Sequence, residues 1–453
     1  MQVQRWRALT PVLYDWVGVS CRVWPSLSCH WGPPATPFAA KAARKGHSRQ
    51  RLYFAEQTDK SAPNTLIAAS VDVLLPRGEE AQSADELVSS WTGDLADHTF
   101  LGSKVLFHPG EVNKIRAVAG CAEGAEVVAT HSDVPQVYLW RLAAQPDRTG
   151  DADHTPSVPD CLLTGHTAVA PFALASARLE PRLASGGTDR AVCLWDLRDH
   201  AGGALLAVPA AGAEGRKSLN SGGLGSLASS APPQLTARVL FMGHDKSVED
   251  VAFNPNSAEL LCSVGDDSAL CFWDARAGPA PVQKVAQAHG NEDIHTCDWA
   301  PQDEHLVATG SADTTVRVFD RRRVGAPLHV LVGHKAAVNV VQWCPDRIGV
   351  LASGSDDACV HVWDVAAPEP LLFHHAGHMD VGGAVADLQW SPAVPWTCCS
   401  VSSTSQGGGY IQLWRPSELI YRDQKEALAE LERVRASILA ESGQAAAAAA
   451  APS

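Results

Sequence analysis

One pattern recurs through the middle of the chain and limits what it can fold into. Trp195-Asp196, Trp273-Asp274, Phe319-Asp320 and Trp363-Asp364 each close a short apolar run: AVCLWD, ALCFWD, TVRVFD and CVHVWD. Six residues before each aromatic stands an Asp (Asp189, Asp267, Asp313, Asp357), and 23 or 24 residues before that Asp stands a His (His166, His244, His289, His334). A unit of this length has one small sheet and cannot bury both of its faces alone. Copies must therefore stack, and a closed ring removes the exposed ends of the stack.

The spacing resembles the WD40 repeat, a four-stranded blade of a propeller. Two weaker copies flank the four: His108 to Trp140 with a degraded turn at Asp133, and His378 to Trp414 with a Gly-rich turn at Gly407 to Gly409. Before His108 the runs SLSCHWG, RLYFAEQ and TLIAASVDV supply most of a further blade. The expected fold is all-β, a seven-bladed WD40 β-propeller closed by N-terminal strands, with an N-terminal and a C-terminal helix.

Repetition also decides how the His and Asp residues are read. A catalytic triad occurs once in a chain, whereas this His/Asp/aromatic set returns blade after blade, as a buried network holding each unit together does. No Gly-rich phosphate loop, H-E-x-x-H or nucleophile elbow appears, so no enzyme activity and no cofactor are expected. The 12 Cys include no C-x-x-C pair, which argues against zinc fingers and for reduced, buried thiols. A net charge of −14 disfavours gripping nucleic acid phosphates and suits a basic partner. No run of about 18 apolar residues is present, and the N-terminus lacks the pattern of a signal peptide, so neither a membrane nor secretion is expected.

Outside the blades, residues 1–20 read as a helix, with Thr10 as cap, Pro11 at the first helical position, and Leu9, Val12, Leu13, Trp16 and Val17 near one face. The propeller spans 21–415, with a loop at 77–100 and a Gly/Ala/Ser/Pro-rich excursion at 199–238. Residues 416–442 read as an amphipathic helix with Leu428, Leu431, Val434 and Ile438 on one side, followed by an Ala-rich tail over 443–453. Lys41, Arg44, Lys45, Arg49 and Arg51 form a loose basic cluster, the composition of either a nuclear import signal or a solvated loop.

The segments WPSLSCHWG, PNTLIAA, HPGEVNKIR, EDVAF, GSADTTVRVFDRR, HKAAV and LLFHHAGH occur in that order. Together they resemble the MSI-type, retinoblastoma-binding-protein-like family of histone-binding WD40 proteins. PVLYDW, SVGDDS, FDRRR and RPSELIYR are most similar to its plant FVE-type branch. The resemblance covers about residues 6–435. It implies a nuclear or cytoplasmic adaptor that carries histones H3 and H4 and joins subunits of histone deacetylase, Polycomb-type or chromatin assembly complexes.

The resemblance also implies sites. A groove for the first helix of histone H4 would have Leu9, Leu13, Trp16 and Val17 on one wall and Leu372, Phe373 and His374 on the other. The acidic loop that precedes LLF in the family is here reduced to AAPEP, with Glu369 its only acid. The channel mouth, which takes an extended basic tail, would be framed by Trp24, Glu111, Asn113, Phe172, Glu249, Asp293, His295 and Asn339. A competing reading is a substrate receptor docking on the adaptor of cullin-4 ubiquitin ligases. The pattern aromatic-Asp-x-Arg would carry it, through Asp196 and Arg198, Asp274 and Arg276, and Asp320 and Arg322.

Overall fold

The structure is a computed structural model that describes residues 6, 10, 13–32, 46–76, 100–122, 124–200, 205–207, 231–381, 383–404, 407–421, 425, 427–429 and 432. Within them 29 strands form seven sheets arranged as the blades of a propeller. Blade I holds β2 (Cys29–Trp31), β3 (His47–Glu56), β4 (Thr65–Leu74) and β5 (Phe100–Phe107). Blade II holds β6 (Lys114–Ala117), β7 (Val127–His131), β8 (Val137–Arg141) and β9 (Cys161–Thr164). Blade III holds β10 (Leu174–Ser176), β11 (Arg182–Gly186) and β12 (Ala191–Asp196). The segment leading to its outer strand first adds β13 (Gln234–Thr236) to blade II and then pairs as β14 (Val239–Met242) on blade III.

Blade IV is built from β15 (Val248–Asn254), β16 (Ser257–Gly265), β17 (Leu270–Asp274) and β18 (Gln283–Val285). Blade V has β19 (Ile294–Trp299), β20 (Leu306–Ser311), β21 (Thr315–Asp320) and β22 (His329–Val332). Blade VI has β23 (Val338–Trp343), β24 (Val350–Ser355), β25 (Val360–Asp364) and β26 (Leu371–His375). Blade VII joins the two ends of the chain: β27 (Ala384–Trp390), β28 (Cys398–Ser403) and β29 (Gly409–Pro416) are completed by β1 (Tyr14–Arg22).

The repeated residues hold each blade as the periodicity predicts. In blade IV His244 pairs with Asp267 at 2.9 Å and with Ser263 Oγ at 2.7 Å, and Trp273 Nε1 donates to the same Oγ at 2.8 Å. Blades V and VI repeat it with His289, Asp313 and Thr309, and with His334, Asp357, Ser353 and Trp363. Each turn Asp does a second job. Its Oδ1 accepts the amide two residues on, at Ala191, Ala269, Thr315 and Cys359. The residue between (Arg190, Ser268, Thr314, Ala358) is held at positive φ, a conformation that the Asx bond stabilises in a non-glycine residue.

The degraded copies replace parts of this set. In blade II His108 reaches Thr130 Oγ1 at 2.8 Å and the Gly110 carbonyl at 3.0 Å, while Asp133 takes the Ser132 hydroxyl. In blade VII Ser402 stands in for the missing Asp, 2.8 Å from His378 Nδ1.

Several boundary expectations are corrected. The N-terminal helix does not run to residue 20, because β1 begins at Tyr14 and pairs antiparallel with β29 from Tyr14↔Pro416 to Arg22↔Gly409. Thr10 is not a cap: it is itself helical, and its hydroxyl donates to the Trp6 carbonyl one turn back at 2.9 Å. The excursion at 199–238 ends earlier than expected, since β13 pairs in parallel with β9, and Leu205 is buried against Trp195 and Leu197.

Among the basic cluster, Arg49 and Arg51 lie in β3 and are ion-paired with Asp72 at 2.8 Å and Glu126 at 3.2 Å; Lys41, Arg44 and Lys45 lie outside the described residues. In the C-terminal segment Ala427 is the buried helical residue and Leu428 is 54% exposed, whereas Leu431, Val434 and Ile438 lie outside the description. No helix among the described residues is long and apolar enough to cross a membrane.

Candidate functional site

The innermost strands β6, β10, β15, β19, β23 and β27 all begin at the same end of the disc, because each follows its blade's turn-side His. That end is the channel mouth. Glu111 and Asn113 precede β6, Phe172 precedes β10, Glu249 is the second residue of β15, Asp293 and His295 flank the first residue of β19, and Asn339 is the second of β23. The structure therefore brings these seven residues to one opening. Trp24 lies on the connection between β1 and β2, half-buried.

Negative charge at the mouth concentrates on blades IV to VI. Glu249 accepts the Ser247 hydroxyl at 2.6 Å. Burial pushes its carboxyl above the ordinary range, opposed by the Ser247 bond and supported by Asp266 and Asp250, with His295 opposing. Asp266, on the β16–β17 turn, is raised by its own burial and by Asp293, with Lys246 and His295 opposing. Lys246 Nζ donates to the Asp266 carbonyl at 2.8 Å and lies 3.9 Å from Asp293.

Asn339 does not offer its amide nitrogen to a ligand, because Nδ2 donates to Asp356 Oδ1 at 2.6 Å and to the Val385 carbonyl at 3.2 Å. Asp266 and Asp356 were missed by sequence reasoning. The available signal is positional: each is the residue before a repeat Asp, at the tip of the turn that its network holds in place. Across the mouth, on blade III, Phe172 is 46% and Val169 38% exposed, so the rim is acidic on one arc and apolar on another.

Below the mouth the channel wall satisfies itself. Asp250 accepts the Cys297 amide at 3.0 Å, Asp298 the Trp343 amide at 2.8 Å, Gln342 Oε1 the Trp390 amide at 2.7 Å, and Asp387 the Cys29 amide at 3.3 Å. Each bond runs from one inner strand to the next blade. Asp387 also faces Lys114 at 3.5 Å and Arg116 at 3.8 Å. These groups line a cavity of about 650 Å³ that all seven blades share.

Two of the seven residues expected to wall the helix groove are core residues. Val17 and Phe373 are each only 6% exposed and sit in one core cluster with Tyr14 and Trp414, so they are corrected from groove walls to core. The Phe373 ring meets Tyr14 edge-on at 5.3 Å. Trp16, on the opposite face of β1, packs half-buried against the blade I and VII cluster and is not on a helix. Leu13 and Leu372 are half-buried at the edge of the Phe373 cluster, His374 is exposed, and Leu9 lies outside the described residues.

Trp6 docks on blade VII. Trp6 Nε1 donates to the Tyr14 hydroxyl at 2.9 Å, which donates to His375 Nδ1 at 2.8 Å. His375 Nε2 then donates to Gln412 Oε1 at 3.0 Å, and Gln412 Nε2 to the Gly377 carbonyl at 2.9 Å.

The three aromatic-Asp-x-Arg motifs share one geometry and differ in availability. Each Arg folds back on its own Asp: Arg198 on Asp196, Arg276 on Asp274 at 2.8 Å, Arg322 on Asp320 at 2.6 Å. Asp196 is 1% exposed and shared with Arg182 and Arg238, and Arg198 also reaches Glu180 at 2.8 Å, so this copy is part of a larger ion network. Arg276 and Arg322 are 66% and 59% exposed on adjacent blades.

A family model for the histone-binding protein RBBP4, described equally as a component of the CAF1 complex, matches residues 1–75. A WD domain, G-beta repeat model matches 159–196, 236–274, 281–320 and 325–364. The chain is 42% identical over 457 aligned residues to the WD-40 repeat-containing protein MSI4 of Arabidopsis thaliana, an alignment covering 96% of this chain and 85% of that protein.

Proposed function

Because the chain belongs to the MSI/RBBP4-type family of WD40 proteins, we propose that it is a non-catalytic, histone-binding adaptor of chromatin complexes. It holds the extended, basic tail of histone H3 at the channel mouth. The observation that carries this reading is the acidic arc of Glu249, Asp266, Asp293 and Asp356, countered among the described residues there by Lys246. Carboxylates at a partly desolvated rim make the strong, charge-assisted kind of bond to Lys and Arg. In this reading the protein works in the nucleus, delivering H3–H4 to deacetylase, Polycomb-type or assembly complexes that repress transcription. Binding of the first H4 helix would rest on Leu13 and Leu372 rather than on Val17 and Phe373, which supports a weaker H4 than H3 interaction.

Titration with an H3 tail peptide at physiological salt tests the proposal. Glu249→Gln with Asp293→Asn should weaken binding at least about tenfold and flatten its salt dependence. Absence of wild-type binding would sink the reading.

The exposure of Arg276 and Arg322 favours a second role, docking on a cullin-4 ligase adaptor. Replacing both by Ala should abolish adaptor capture and leave the H3 peptide affinity unchanged. Capture that survives the double change refutes the role.

A further inference from the structure

One arc of the channel mouth is apolar, and the repeat shows what it replaces. In each network the His bonds a Ser or Thr of the second strand, as at Ser185, Ser263, Thr309 and Ser353. Those residues pair with Leu174, Val251, Cys297 and Val341 of the innermost strands. The residue two places before each partner is therefore one position repeated around the mouth: Phe172 on blade III, Glu249 on IV, His295 on V and Asn339 on VI. On blades IV to VI it is the extra residue of a β-bulge, since the pairing skips it. A bulge takes a residue out of the ladder and re-aims its side chain.

The tip of the neighbouring turn repeats as well. The residue before the turn Asp is Asp266 on blade IV and Asp356 on blade VI, but Thr188 on blade III. Thr188 is used internally: its amide and its hydroxyl both donate to the Val169 carbonyl at 2.9 Å. Both carboxylate positions of blade IV are thus uncharged on blade III, where Phe172 is 46% and Val169 38% exposed. The Val248 amide donates to the Gly187 carbonyl at 3.2 Å, so this arc adjoins the start of β15 and Glu249.

We infer that Phe172 and Val169 form an apolar subsite adjoining the acidic arc, so that the mouth selects extended segments carrying a bulky apolar side chain close to a Lys or Arg. The inference rests on the reading of the mouth as a site for basic tails and adds the second half of the ligand. The two halves differ physically. Pairing of Lys or Arg with Glu249 and Asp266 gives an attraction that salt screens. Covering the exposed Phe172 ring removes apolar surface from water, an effect that salt leaves in place. The turn that carries the subsite is held by the Thr188 bonds and by His166, 3.0 Å from Asp189, so little ordering is needed when a ligand arrives. A segment with only basic residues uses the acidic arc alone.

Fluorescence anisotropy with the full-length chain tests this. The probe is a labelled peptide of Ser and Gly around one Arg-Lys pair, together with a series in which Leu replaces each Ser in turn. The best Leu peptide should bind about tenfold more tightly than the parent, and that ratio should hold as salt rises while both affinities fall. Phe172→Ser should bring the ratio near one, and Phe172→Leu should keep most of it. Glu249→Gln should weaken both peptides and keep the ratio. The gain surviving in Phe172→Ser overturns the subsite. If parent and Leu peptides bind within about twofold of each other, the apolar subsite alone is overturned. Failure of every peptide to bind overturns the reading of the mouth with it.

Discussion

Tyr14 sits in the middle of a buried relay that starts at Trp6 and ends at the Gly377 carbonyl. Burial holds its hydroxyl protonated, far above the ordinary range for tyrosine, so it acts as a fixed donor and acceptor. Tyr14→Phe should remove both bonds and leave Trp6 Nε1 and His375 Nδ1 without their partner, costing about 2–3 kcal/mol in denaturant unfolding. Phe373→Ala should cost about 3–5 kcal/mol, because the side chain is core. A loss below about 1 kcal/mol would put Phe373 back on a groove wall. The repeat positions were legible residue by residue, since His244, Asp267 and Trp273 recur at fixed spacing. Tyr14 and Phe373 were not: PVLYDW fits a helix and a strand equally until the partner strand is known, and that partner is about 400 residues away.

At the level of elements, the His-bearing turns set the acid limit of stability. Burial lowers His108 to about 4 and His378 to about 3, from an ordinary value near 6.5. His361 is lowered to about 3 by burial and by the neighbouring His334 and His374. A base with a lowered folded pKa takes up its proton in the unfolded chain first. Stability is therefore complete above about pH 6.5 and drains away as pH falls toward the folded values, by about 1.4 kcal/mol per pH unit for each such histidine.

The turn aspartates act later. Burial opposes ionisation of Asp189, but the His166 and Thr167 donors outweigh it and hold it at about 2. Its contribution is present above about pH 4 and lost below. Calorimetry should find a level melting temperature above pH 7 and a clear fall between 6.5 and 5; a flat profile to pH 5 would refute buried neutral histidines. The element that no local pattern announced is β13. Its three residues, Gln234–Thr236, read as part of a low-complexity excursion, and only the exposed edge of β9 makes them a strand.

For the whole molecule the decisive contacts lie between blades. The bonds from Asp250, Asp298, Gln342 and Asp387 to successive inner strands tie blades IV, V, VI, VII and I in sequence. Asp298→Ala should leave the Trp343 amide unpaired and open the V–VI interface, lowering stability by roughly 1–3 kcal/mol, with increased amide exchange in β19 and β23 as the site-specific readout. Six blades could be counted from the Trp, His and Asp pattern and the seventh from the strand-like runs before His108, but the tethers could not, because their spacing is a property of the ring.

Blade VII gives the ring a further property, one of timing. Its outer strand, Tyr14–Arg22, is synthesised roughly 400 residues before the partner it pairs with, Gly409–Pro416. At roughly 5–20 residues per second, the first strand waits some 20–80 s for its place. During that interval a nine-residue strand carrying Tyr14, Trp16, Val17 and Val19 lacks its native partner. The contact that closes the ring is therefore made long after its first half is synthesised, and every nascent chain passes through a long-lived open form whose loose strand must be kept from pairing elsewhere.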